Sequence, residues 1–155
     1  MNNQINEDQV KIIDGNIFID DRGEVSFVNS FNSEFFSQIK RFYMVSNHKK
    51  DFIRAWHGHK EEAKYVLCLK GSTWIRYVKI DNWQEPSKNL EVKQTFLSDK
   101  KPSILYIPRG YVNGFMSLTD DMKLMFFSPS TLEESLKDDF RFSFDYWDNW
   151  QVKPR

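Results

Sequence analysis

The sequence predicts an all-β fold, a sandwich or barrel with little helix. Three observations carry that prediction. Apolar, β-branched and aromatic residues gather in about nine or ten short runs bounded by turn residues. Only residues 32–38 and 131–139 read as helix, and both stretches are short. No repeat or linker interrupts the 155 residues, so 1–155 is expected to be a single domain.

Taken in order, residues 10–13 and 17–19 read as strands broken by Asp14-Gly15, and Asp20-Asp21-Arg22-Gly23 turns the chain into a strand over 25–28. A helix of about two turns follows at 32–38, then a loosely alternating strand over 41–46. The run 65–69 is almost wholly apolar, carries Lys64 at its mouth and stops at Gly71; His57 and His59 lie just before it. Residues 73–80, 91–97 and 103–107 are further strands, with a polar loop over 81–89. Pro108-Arg-Gly110 turns into a strand over 114–118, and Asp120-Asp121 turns again into 122–127. Thr131 and Glu134 form a capping-box pair for a helix over 131–139, and 140–150 is an aromatic tail. Gly58, Gly71, Gly110 and Gly114 border the histidine stretch and the Pro108 turn, so those two places are expected to meet.

Composition narrows the function. Basic and acidic residues balance at 22 each, which argues against a nucleic-acid partner, because phosphate recognition needs a basic field. The 16% aromatic content suits sheet packing or stacking on a base or sugar. The single cysteine, Cys68, sits in an apolar run and reads as core. The first residues lack an apolar signal segment and no run is long enough to span a membrane, so a cytoplasmic protein with no membrane association is expected.

Two of the three histidines stand in Arg54-Ala-Trp-His57-Gly-His59-Lys-Glu-Glu-Ala-Lys64, and His48 precedes them closely. Histidine moves protons near neutral pH, so one chemical centre is expected there. His57-x-His59 also has the spacing of two metal ligands on one strand, and with the later Pro108 turn it resembles the cupin jelly roll, the double-stranded β-helix. Glu61 and Glu62 come too early for that superfamily's carboxylate ligand, however, and Asn113 stands where its last histidine would be, so no metal is expected.

From about Ile17 to Trp150 the chain more closely resembles the nucleotide-sugar cupins, the dTDP-4-keto-6-deoxyglucose 3,5-epimerases. Asp20-x-Arg22-Gly23 is similar to their entry motif, whose arginine reaches the ligand of a neighbouring subunit. Asn47-His48, Arg54-Ala-Trp-His57, Lys64 seven residues before Gly71, and Ile107-Pro-Arg-Gly-Tyr-Val-Asn-Gly-Phe115 follow in the family's order. The resemblance implies His57 as base, Lys64 as its catalytic partner, and a phosphate-binding Arg54. The family's tyrosine acid falls on Met125 by this alignment. His57-Gly-His59-Lys60 also resembles the sister 3,4-ketoisomerases.

The expectation is a C3 epimerase of a dTDP- or CDP-linked 4-keto-6-deoxyhexose that needs no cofactor and makes a deoxysugar for O-antigen lipopolysaccharide or another surface polysaccharide. Its expected catalytic residues are His57, Lys64 and Asp145, the last orienting His57, with Asp148 as the alternative. Arg22, Asn47, Arg54, His59, Tyr111 and Asn113 are expected to bind substrate, and Tyr111, Tyr106, Tyr77 or a water to supply the acid. The Arg22 motif implies a homodimer with strand exchange. A ketoisomerase and a non-catalytic sugar-nucleotide binder are the rival readings.

Overall fold

The structure, a computed structural model, describes residues 8–30 and 36–155. Strands β1 (Lys11–Asp14), β2 (Asn16–Asp20), β3 (Gly23–Phe27), β4 (Arg41–Asn47), β5 (Ile53–His59) and β6 (Lys64–Lys70) come first. After them run β7 (Ser72–Lys79), β8 (Lys93–Ser98), β9 (Ser103–Ile107), β10 (Tyr111–Ser117) and β11 (Met122–Ser128). Helix α1 (Leu132–Lys137) and the short β12 (Phe140–Arg141) close the order. The helix expected at 32–38 lies, through residue 35, outside the described residues.

Two five-stranded antiparallel sheets form the body, in the orders β1-β9-β6-β11-β4 and β12-β5-β10-β7-β8, while β2 and β3 make a separate hairpin. Alternation decides what lies between the sheets. Val66, Leu105, Ile107, Leu124 and Phe126 of the first sheet meet Ile75, Tyr77, Leu97 and Phe115 of the second in one buried cluster. Each fully buried aliphatic or aromatic side chain there contributes about 1.5–3 kcal/mol. The outer face of the second sheet is covered by the aromatic tail, where Trp147 and Trp150 pack on Trp56. Thr131 caps α1 reciprocally with Glu134, as its sequence foretells.

One strand differs from expectation in a way that matters. The histidines do not precede a strand; they lie on one, β5, paired with β10 as Tyr111↔His59, Asn113↔His57 and Phe115↔Arg54. Two steps along β10 oppose three along β5, so one residue of β5 is extra and the ladder bulges. That insertion turns Arg54 and His57, three apart, toward the same interior. Gly114 sits at the bulge, where an added Cβ would come within 2.4 Å of the Ala55 Cβ. Among the described residues, no helix is long and apolar enough to cross a membrane.

Candidate active site

His57 and His59 face the interior from β5, with their ring centroids 4.8 Å apart. Two devices bring a carboxylate to His57. The backbone N–H groups of Lys60 and Glu61 donate to the Asp138 carboxylate at 3.0 and 2.8 Å, fastening the turn after β5 to the end of α1. β12 then pairs with β5, setting Arg141 opposite His57. Between these anchors Asp139 meets His57 Nε2 in a short contact and accepts from Arg141 Nε at 3.2 Å. Burial opposes ionisation of Asp139, but the Arg141 and His57 hydrogen bonds and charges outweigh it and hold its carboxyl below the usual range. An ionised Asp139 can only accept, so Nε2 carries the His57 proton and Nδ1 is the basic nitrogen. Burial first, and then the charge of Lys64, pull the His57 pKa below its ordinary 6.5, with Asp139 opposing. His57 is therefore a neutral base at pH 7.

Behind it lies a largely buried polar network. Glu62, 3% exposed, accepts from Arg41 Nη2 at 2.9 Å, from Ser135 Oγ at 2.7 Å and from Ser128 Oγ. Burial works against its charge, but the two serine hydroxyls and the charges of His59 and Lys64 lower its pKa overall. The Ser135 proton goes to Glu62, so His59 Nε2, 3.1 Å from the Ser135 oxygen, is a donor. Burial and the Lys64 charge push His59 down to about 4 against the pull of Glu62, so this imidazole also stays neutral.

Lys64 opens β6 and points inward with Val66 and Cys68, only 4% exposed. Its pKa falls to about 8 because burial disfavours the ammonium more than Glu62 favours it. Asn47 is anchored to the Phe52 carbonyl and Ser117 Oγ, at 3.0 and 2.7 Å, and accepts from Arg54 Nε at 2.8 Å. Asn113, the β10 partner of His57, is buried, and Tyr111 stands at the inward end of the same strand. The structure thus brings together His57, His59, Lys64, Asn113 and Tyr111, with the Asn47–Arg54 pair on the same interior face. Arg22 lies apart, exposed at the tip of the β2–β3 hairpin and ion-paired with Asp20.

Two expectations are corrected. Asp145 does not orient His57; it is exposed and accepts from Ser143 Oγ, while Asp148 pairs with Arg76 on the outer face of the second sheet. Asp139 takes the role. Met125 does not occupy the interior site of an acid: it pairs with Met44 and Leu67, and alternation turns it outward while Phe126 faces in. Sequence reasoning weighed Glu62 only as a metal ligand and passed over Arg41 and Ser135; the meeting of the three depends on α1 docking. His57, His59 and Asp139 bring possible ligand atoms within 4.8 Å of one another. The Lys64 charge, which already disfavours a proton on both imidazoles, opposes a cation there.

Comparison with known proteins bears on family and fold. Residues 4–142 match the dTDP-4-dehydrorhamnose 3,5-epimerase family. The dTDP-4-dehydrorhamnose 3,5-epimerase of Salmonella typhimurium is 27% identical over 136 residues, covering 79% of this chain and 72% of that protein. A crystal structure of the Bacillus anthracis dTDP-4-dehydrorhamnose 3,5-epimerase, with TDP and PPi bound, superposes with a TM-score of 0.75 at 18% identity, over 96% of this chain and 89% of that one. QdtA, a sugar 3,4-ketoisomerase from Thermoanaerobacterium thermosaccharolyticum in complex with TDP, gives 0.63 at 25% identity, over 88% and 90%. Fold and a match spanning most of the sequence lead to one conclusion: the chain belongs to the dTDP-4-dehydrorhamnose 3,5-epimerase family.

Proposed function

We propose that the protein inverts C3 of a nucleotide-diphosphate 4-keto-6-deoxyhexose, dTDP- or CDP-linked, through an enolate. The observation that carries this reading is a neutral His57 backed by an ionised carboxylate in the same interior as the buried ammonium of Lys64. A C–H beside a ketone is too weak an acid for histidine alone, so charge must be ready where the enolate oxygen forms. His57 Nδ1 removes the C3 proton, the C–H pair becomes the C3–C4 double bond, and the carbonyl pair moves to O4. Lys64 stabilises that oxygen, and Asp139 stabilises and orients the imidazolium. Arg54, held by Asn47, binds the pyrophosphate; His59, Tyr111 and Asn113 line the sugar. The proton leaves and returns at one carbon, so no redox cofactor is required.

We also infer a homodimer in which Arg22 reaches the neighbour's ligand. In support, the edge strand β4 exposes Phe42 and Met44 at 62% and 55%, and the hairpin exposes Phe18, Ile19 and Val25. In this reading the enzyme works in the cytoplasm on a deoxysugar destined for surface polysaccharide such as O-antigen.

The test is hydrogen exchange in D2O with dTDP- and CDP-4-keto-6-deoxyglucose. Deuterium should enter C3, and His57→Asn should abolish the exchange; tight binding without exchange would point instead to a non-catalytic binder. The ketoisomerase reading draws on the likeness to QdtA and on the paired His57 and His59. It predicts a product carbonyl at C3 instead of C4, which carbon NMR distinguishes.

A further inference from the structure

Inversion requires a proton donor on the ring face opposite His57, and the interior position of β11 holds Phe126, which has no proton to give. The neighbouring strand fills that lack. β4 pairs with β11 so that Tyr43 lies beside Phe126, and the two rings stack with centroids 5.0 Å apart and planes within 1° of parallel. Tyr43 is only partly buried, although it packs against the cluster that fills the space between the sheets. Phe126 in turn meets Phe115 of the second sheet at 6.0 Å, and Phe115 pairs with Arg54 on β5. Tyr43 therefore stands on the wall of the first sheet while His57 stands on the second.

The polar surroundings of Tyr43 also suit an acid. The Arg41 guanidinium lies over its ring at 4.9 Å and holds Glu62, which reaches His59. A nearby cation favours the phenolate that remains after proton transfer. Burial, followed by the charge of Glu62, raises the phenol well above its ordinary range and outweighs the Arg41 charge, so it keeps its proton throughout the working pH range.

We propose that Tyr43 is the catalytic acid that completes the inversion, delivering its hydroxyl proton to C3 from the face opposite His57. This rests on the epimerase reading. As the O4 pair reforms the carbonyl, the C3–C4 π pair takes the Tyr43 proton and becomes the new C3–H bond. The proton on His57 and the charge on the phenolate are then cleared through water, which restores both groups.

The experiment is Tyr43→Phe, assayed in D2O with dTDP- and CDP-4-keto-6-deoxyglucose. Exchange at C3 of recovered substrate and formation of the C3 epimer are followed by NMR in parallel. The variant should keep C3 exchange within about threefold of wild type, since His57 and Lys64 are untouched, while epimer formation falls by roughly 10²–10⁴. Retained exchange also demonstrates an intact fold. Unchanged epimer formation overturns the role of Tyr43 and leaves the epimerase reading standing. Loss of exchange together with inversion also overturns it, because Tyr43 would then serve abstraction or folding. Absence of C3 exchange in the wild type overturns the epimerase reading and the proposal with it.

Discussion

Replacing Lys64 with methionine separates what this residue costs the fold from what it does for the reaction. Lys64 is 4% exposed, and its pKa falls from 10.5 to about 8, chiefly through burial. At about 1.36 kcal/mol per pH unit, holding the ammonium in the interior costs on the order of 3 kcal/mol at pH 7. The sign follows from proton counts. Between about 8 and 10.5 the unfolded chain binds the Lys64 proton more tightly, so wild-type stability rises with pH across that window; below it the full cost is present. A methionine of similar length removes the charge, so Lys64→Met should unfold roughly 6–12 °C higher at pH 7, at about 2–4 °C per kcal/mol for a chain of this size. The same change removes the charge that meets the enolate oxygen and should lower kcat by roughly 10²–10³. The pH profile carries a third signature. The wild type should show an alkaline limb near 8, which the variant loses, and an acid limb that moves upward because Lys64 no longer depresses His57. Differential scanning calorimetry and pH–rate profiles measure all three. A variant that melts lower than wild type, or keeps its alkaline limb, would refute the reasoning.

Two further substitutions test the site and the fold that builds it. Asp139→Asn removes the acceptor that fixes the His57 proton at Nε2, and should lower kcat by roughly 10²–10⁴ while moving the acid limb to lower pH. Asp145→Asn, at an exposed carboxylate that accepts from Ser143, should leave steady-state rates unchanged. Gly114→Ala would set a methyl group 2.4 Å from the Ala55 Cβ and 2.9 Å from the Trp150 ring, so thermal melts should show a loss of about 1–3 kcal/mol.

How much of this was legible from the residues depended on whether pairing decided it. His57 and Lys64 could be found because they lie on local motifs, ahead of a glycine-ended apolar strand. The place of β5 could not, because the bulge breaks the alternation that identifies a strand. Asp139 reaches His57 through a two-residue strand and a helix end, and neither the aromatic tail nor its spacing signals that contact. Met125 was one residue off. A shift of one reverses the face of a strand, so the interior position belongs to Phe126 and the acid had to be sought on a neighbouring strand. Tyr43, in a loosely alternating run, carried no mark beyond that of an ordinary core aromatic.

The charges in the interior explain why these groups occur together. Arg41 and Lys64 are cations, Glu62 and Asp139 are anions, and both histidines are neutral. The partners are unevenly fixed. Arg41 is bound to Glu62, which two serines also hold, and Asp139 is engaged by His57 and Arg141. Lys64 is the cation that none of the described hydrogen bonds or ion pairs ties down, while Glu62 and Asp139 act on it only through their charges. An arriving ketone adds no charge; an enolate adds one negative charge. In a low-dielectric interior that charge draws most strongly on the least committed cation, so Lys64 interacts more with the transition state than with bound substrate. The buried network of Arg41, Glu62, Ser128 and Ser135 therefore contributes indirectly: by satisfying the other charges, it leaves Lys64 free for the oxygen that becomes negative.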